Sequence, residues 1–263
     1  TIESAPEPEP GCTSEIESVG SPYLAGDSRP AIGNWGPDHH AEGMSGYWVF
    51  EDYDHDNIRE YATLDTVSTD TTATGYTFDE DWSGTGQIVF KGSVYYEEED
   101  VGELVRYDLS TRTEMARVSM PGWADAYIYE WGGRTTTDFD TNGDALVVIH
   151  SSDAAGGRFQ VTEVDPETLS ILSTATAPSG IRFDHSNAFI ACGVLYGLEL
   201  DYYTEVNINY AWQIGTAIEW DPSVSWGEVD YLTSIQYSDN HDALYVYDYT
   251  KLLIYSPTWK PEP

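Results

Sequence analysis

The segment Asp138-Phe139-Asp140-Thr141-Asn142-Gly143-Asp144 opens with the spacing D-x-D-x-N-G, the first half of a calcium loop whose alternate side chains turn oxygens onto one ion. The second half is missing. An EF-hand loop closes with a bidentate Glu at its twelfth position, and counting from Asp138 that position is Ile149, inside the apolar run Ala145–His150. The segment is therefore not an EF-hand. Asn142-Gly143 between apolar runs is also a strong hairpin signal, which predicts a turn carrying solvated aspartates. If metal binds here, Asp140 is the carboxylate best placed to supplement Asp138.

Hydrolytic and nucleotide chemistries have motifs that this chain lacks: there is no GxSxG elbow, P-loop, GxGxxG or HExxH. The histidines, 39, 40, 55, 150, 185 and 241, are scattered, and only His39-His40 are adjacent, in a Gly/Pro-rich stretch that reads as an exposed loop. With 46 acids available, no single carboxylate pair points to glycoside hydrolysis. The chain is not expected to be an enzyme.

Those 46 Asp and Glu face only 11 Lys and Arg among 263 residues, a formal charge of -35. Tight binding to nucleic acid or to anionic lipid rests on clustered Lys and Arg, so neither partner is expected. The same field attracts divalent cations and cationic proteins. The acid sits on a folded body, because 9 Trp and 20 Tyr are foreign to a disordered acidic tail. No apolar run of about 18 residues is present to insert in a membrane. Residues 1–11 lack the basic and apolar regions of a signal peptide, so the chain reads as a mature or trimmed product. Cys12 and Cys192 belong to no CxxC or Cys/His cluster, which argues against zinc and leaves one long-range disulfide or two buried thiols.

The elements that would position these groups are strands. Residues 1–11 and 258–263 alternate Pro with Glu or end in Pro, and read as tails around a folded body at 12–257. Residues 20–46, rich in Gly, Pro and His, read as loop. Beyond Tyr47 come short runs of Val, Ile, Tyr, Phe, Thr and Trp between Gly, Asp, Asn and Pro, among them Gln87–Phe90, Glu103–Asp108, Ala145–His150, Val194–Leu198 and Ala243–Asp248. Comparable units open near Gln87, Asp138, Asn187 and Thr233, roughly 45–50 residues apart, the length of a four-stranded propeller blade. The folded body then holds five blades. A β-sandwich is the structural alternative.

The stretches GTGQIVFKGSVYY (84–96), LVRYDLSTRTEMARVSMPG (104–122), Tyr129-Glu130-Trp131-Gly132-Gly133, ALVVIHSSD (145–153), EVDPETL (163–169), NAFIACGVLYGLE (187–199), INYAW (208–212) and YLTSIQYSDNHDALYVYD (231–248) together resemble the olfactomedin domain. The resemblance runs from about Cys12 to Ser256. It implies an all-β fold, a five-bladed β-propeller of four-stranded antiparallel blades, secreted and non-catalytic, with a disulfide at the positions of Cys12 and Cys192. It also implies calcium in the central channel, with an adjacent sodium in some members. Carried over position by position, the ligands are Asp138, Asn187, the Ala188 carbonyl, the Ile235 carbonyl and Gln236. Position 236 departs from the family, which has Asp there, and a second acidic position is Thr136 here. Fewer carboxylates mean a weaker calcium site.

The expected function is a secreted protein-binding, adhesion or matrix-assembly module whose partners are extracellular or matrix proteins. The alternative is a structural acidic matrix or biomineral-associated protein that acts through its negative surface; a third possibility is that the acid is adaptation to a saline medium. The remaining acid runs, Glu51–Asp56, Asp79–Asp81 and Glu97–Asp100, read as solvated, and Trp123, Trp131, Trp212, Trp220 and Trp226 as wedges between blades.

Overall fold

The computed structural model describes residues 15–260 except 28, 40–45, 52–55, 100, 121, 124–126, 130–132, 182–183, 202–204 and 228. Its strands are, in chain order, β1 (Ile16–Val19), β2 (Tyr23–Gly26), β3 (Gly33–Pro37), β4 (Tyr47–Glu51), β5 (Asn57–Tyr61), β6 (Thr74–Thr77), β7 (Ile88–Phe90), β8 (Ser93–Glu97), β9 (Glu103–Asp108), β10 (Thr113–Ser119), β11 (Asp138–Asn142) and β12 (Ala145–Ser151). They continue as β13 (Arg158–Val164), β14 (Ile171–Ile181), β15 (Asn187–Ala191), β16 (Val194–Asp201), β17 (Glu205–Gln213), β18 (Glu219–Trp220), β19 (Val224–Trp226), β20 (Leu232–Ser238), β21 (Ala243–Asp248), β22 (Lys251–Tyr255) and β23 (Pro257–Trp259).

Four antiparallel sheets have the orders β3-β4-β5-β6, β7-β8-β9-β10, β11-β12-β13-β14 and β20-β21-β22-β2. The fifth is β15-β16-β17, with β18 and β19 sharing its outer edge. The molecule is a five-bladed β-propeller. Its ring closes through β2, which comes from the N-terminal side yet forms the outer strand of the C-terminal blade, pairing Tyr23 with Ile254 and Leu24 with Leu253. The pairing of β1 with β23 extends that closure.

The innermost strand of each blade is packed on both faces, which is why its sequence reads as a run of buried residues rather than an alternation. Every residue of β3, β7, β15 and β20 is buried, whereas outer strand β10 is exposed or half-buried throughout. Aromatic residues fill the seams between blades. Trp35, fully buried, donates its Nε1–H to the Val246 carbonyl (2.9 Å) and meets the Tyr245 ring edge-on at 5.0 Å. Phe78, Trp82, Tyr96 and Tyr107 fill the next seam. Trp212 and Trp226 are buried as wedges, as expected of them, whereas Trp123 and Trp220 are half-buried and Trp131 lies outside the described residues.

Two sequence expectations need correction. Residues 20–46 are not all loop, because they contain β2 and the inner strand β3. The glycine that made β3 look irregular is required by close approach: a Cβ on Gly33 would lie 2.4 Å from the Phe50 carbonyl and 2.6 Å from the Tyr247 ring. Nor is 258–263 all tail, since Thr258 and Trp259 lie in β23, with Trp259 edge-on to Tyr237 at 5.6 Å and donating to Asp242. Residues 261–263, like 1–14, lie outside the described residues. One helix, α1 (Leu64–Thr69), interrupts the strands; Thr63 caps it in reciprocal bonds with Thr66, and its Val67 is buried.

The seam between the second and third blades in chain order allows a sharp test. Gly86 accepts the Phe139 amide at 2.8 Å, and a Cβ there would stand 2.1 Å from the Thr137 carbonyl and 2.7 Å from the Asp138 Cα. The atoms it meets are backbone and cannot rotate away. Gly86→Ala is expected to cost about 1–3 kcal/mol in chemical denaturation, as overpacking does; an unchanged midpoint would show that this seam is loose.

Candidate functional site

The channel is walled by β3, β7, β11, β15 and β20, and a polar group crosses each of the five seams between them. From the C-terminal blade, the Thr233 hydroxyl donates to the Gly33 carbonyl (2.9 Å). Asn34 Nδ2 donates to the Gln87 carbonyl (2.6 Å). The Phe139 amide donates to the Gly86 carbonyl (2.8 Å), and the Thr85 amide to the Thr135 hydroxyl (3.0 Å). Asp140 Oδ2 accepts the Ile190 amide (2.7 Å), and Asn187 Nδ2 returns to the Thr233 carbonyl (3.3 Å). Two further bonds join blades that are not neighbours: Thr85 Oγ1 donates to the Thr233 carbonyl (2.9 Å), and Gln236 Nε2 to the Gln87 carbonyl (2.7 Å).

Thr233, fully buried, serves three other blades at once. Thr233→Val keeps the shape but strands the Gly33 amide, which lies 3.3 Å from that hydroxyl, and its carbonyl in a dry seam. The expected loss is about 1–3 kcal/mol, the desolvation cost of buried groups left unpaired. Urea unfolding checks it, and a variant as stable as the parent would contradict the role.

The structure brings the six residues singled out as cation ligands onto three inner strands: Asp138 and Asp140 on β11, Asn187 and Ala188 on β15, Ile235 and Gln236 on β20. All six are buried. The hairpin at Asn142-Gly143 forms, with Asn142 paired to Ala145; Asp144 is exposed as expected of the turn, whereas Asp138 and Asp140 are not solvated. Asp138 and Asp140 alternate onto one face of β11 and lie inside the ring. Burial pushes the Asp138 carboxyl up to about 7, against the pull of the Tyr129 hydroxyl, which donates to Oδ2 at 2.5 Å. Burial likewise raises Asp140 well above the usual carboxylate range, although the Thr141 and Ile190 amides favour its charged form.

Calcium takes six to eight oxygens and binds more tightly as anionic ligands accumulate. Here Gln236 turns its amide nitrogen, not its oxygen, to the channel carbonyl of Gln87. Asn187 Oδ1 accepts the Ala188 amide (2.9 Å), and the two oxygens of Asp140 accept the Thr141 and Ile190 amides, both at 2.7 Å. Asp138 is the one remaining carboxylate, and Thr136 spends its hydroxyl on Glu97. This donor set does not fit calcium in the arrangement that the resemblance implies. Among the described residues, no group of three or more His, Cys, Asp or Glu is gathered as a metal site.

Cys192 occupies the tight turn between β15 and β16 with φ 53°, and among the described residues no cysteine is free. Cys12 lies outside the described residues. Three surface readings change, and His40, residues 52–55 and Asp100 of the same readings lie outside the described residues. His39 is 2% exposed rather than in an open loop, and Glu51 is buried beside Arg29 and Arg59 rather than solvated. The run Glu97–Glu99 is half-buried: Glu97 accepts Thr137 (2.8 Å), Glu98 pairs with Arg117 and Glu99 with Arg134. These three glutamates, with Met120, Trp123 and Tyr127, line an outer cleft of about 840 Å³.

Asn34, Thr85, Gln87 and Thr233 were missed as channel residues. The signal was present: each repeat unit opens with a polar residue at the edge of an apolar run, where a strand packed on both faces has no solvent to receive it.

The model of the olfactomedin-like domain matches residues 7–262. The chain is 28% identical over 262 residues to human adhesion G protein-coupled receptor L1, covering 95% of this chain and 18% of the receptor. It is 31% identical over 175 residues to bovine myocilin, covering 65% of this chain and 35% of that protein. The chain thus spans well under half the length of these relatives. Among solved structures, Myxococcus xanthus glutaminyl cyclase superposes with a TM-score of 0.54 at 11% identity, over 96% of this chain and 100% of that one. At that identity the likeness is one of fold alone.

Proposed function

The chain belongs to the olfactomedin-like domain family, and from that premise we propose that it is a non-catalytic extracellular module that recognises another protein. The observation that carries this reading is the match along nearly the whole chain, together with a relative that is an adhesion receptor. The channel polar groups support it by what they are used for: they are spent on one another across the seams, which ties the blades together and leaves recognition to the outer surface. The -35 charge favours a partner with a basic face, and the outer cleft, where Glu97, Glu99 and Arg134 lie beside Trp123 and Tyr127, offers charged groups next to aromatic surface. No helix among the described residues is long and apolar enough to cross a membrane. A Cys12–Cys192 disulfide and secretion complete the proposal; Cys192 is not a free thiol.

The test is binding of the purified, folded chain to a panel of cell-surface and matrix ectodomains. Saturable binding by the folded chain and none by the heat-unfolded chain is the expected result. Equal binding by the two would remove the folded surface from the explanation. The charge excess itself favours a second reading, an acidic matrix or mineral-associated protein, because 46 carboxylates face only 11 Lys and Arg.

A further inference from the structure

We propose that the Gln236 side chain, reaching across the channel to the Gln87 carbonyl, locks the inner strands of this propeller in place of a calcium ion, so that its stability does not depend on calcium. Gln236 belongs to the C-terminal blade and Gln87 to the edge of β7, two blades that are not neighbours. Their bond therefore spans the ring rather than a seam. Asn34, from the blade between them, donates to the same carbonyl at 2.6 Å. Three blades thus converge on one oxygen without an ion. Gln236 is 4% exposed, Gln87 1% and Asn34 1%, so water does not compete with these bonds.

The amide is what makes the arrangement self-sufficient. A carboxylate at position 236 has no N–H to offer and, while ionised, would turn an anionic oxygen toward the Gln87 carbonyl oxygen, an arrangement that a buried site tolerates only with a cation between them. Glutamine replaces that repulsion with a donor. The other channel oxygens are committed in the same sense: Asn187 Oδ1 to the Ala188 amide, and the Asp140 carboxylate to the Thr141 and Ile190 amides. Gln236 Oε1 lies over Gly36, where a Cβ would stand 3.3 Å from it, so the absent side chain at 36 gives the amide room.

The experiment is thermal unfolding of the full chain in chelator, in millimolar calcium chloride, and in magnesium chloride at equal ionic strength, for the parent, Gln236→Asp and Gln236→Leu. The parent is expected to melt at the same temperature in calcium as in magnesium. Gln236→Leu, which loses the donor but gains no carboxylate, is expected to melt several degrees lower in all three conditions. Gln236→Asp is expected to be equally weakened in chelator and to recover selectively in calcium. A calcium-selective rise in the parent would overturn the proposal, as would a Gln236→Leu variant as stable as the parent. A Gln236→Asp variant indifferent to calcium would overturn the role of position 236 in excluding the ion. Each readout concerns stability alone, so failure here leaves the protein-recognition reading to its own binding test.

Discussion

Trp35→Ala is expected to lower the unfolding free energy by about 3–5 kcal/mol, the range for truncating a large buried aromatic. Trp35 is in the inner strand β3, is fully buried, and faces the blade that the chain completes only with its last strands. Its ring packs among Tyr47, Tyr245 and Tyr247, and its Nε1–H satisfies the Val246 carbonyl of β21 at 2.9 Å. The variant loses contact area and a buried hydrogen bond between blades in one step. Because the affected seam adjoins the blade that β2 completes, the loss should appear as one cooperative transition at a lower denaturant midpoint. Urea unfolding followed by tryptophan fluorescence measures it. A loss below about 1 kcal/mol would mean the seam collapses to fill the gap and that ring closure does not rest on this side chain.

Acid should destabilise the fold through His150. The residue is 1% exposed on β12, its Nε2 lies 2.8 Å from the Thr162 hydroxyl, and Trp123 stacks on its ring at 3.6 Å. Burial holds the imidazole down, from its ordinary 6.5 to about 4, although the Ser151 carbonyl favours the charged form. The unfolded chain therefore takes up the proton first as pH falls. The contribution of His150 is complete above about pH 6.5, erodes between 6.5 and 4, and levels off below 4. A gap of that size between folded and unfolded chains is worth about 3 kcal/mol. The 46 carboxylates also titrate in acid, so the clean observable is a difference between two chains that share them. His150→Gln should lose about 3 kcal/mol less than the parent between pH 7.5 and pH 4. Parallel pH profiles for the two would contradict a neutral, desolvated His150.

Much of the fold was legible because strands packed on both faces write their burial directly into the sequence. Units opening near Gln87, Asp138, Asn187 and Thr233 coincide with β7, β11, β15 and β20. The first blade was not legible, because β3 is Gly33-Asn34-Trp35-Gly36-Pro37, and glycines chosen for close backbone approach look locally like a loop. Hairpin chemistry at Asn142-Gly143 fixed the turn but could not say which layer its aspartates enter. Asp138 and Asp140 are buried because β11 is innermost, a property of the ring and not of the segment. The channel bonds were hidden for a different reason. Thr85 and Thr233 are 148 residues apart and Gln87 and Gln236 149, and nothing local to either marks its partner. Glu51 was misjudged because its partner Arg29 lies outside its own hairpin, and His39 because it bridges to Phe90 of β7, in another blade.

The most direct test of recognition by a folded surface is the salt dependence of affinity for the strongest ectodomain ligand of the binding panel. Between low and moderate ionic strength the Debye length shrinks from about 30 Å to about 8 Å, which removes long-range attraction to the negative surface and spares close, desolvated contacts. The expected result is a slower association with little change in dissociation, so that binding survives physiological salt. A dissociation constant that rises steeply throughout that range, with the unfolded chain binding as well as the folded one, would contradict recognition and assign the interaction to charge alone.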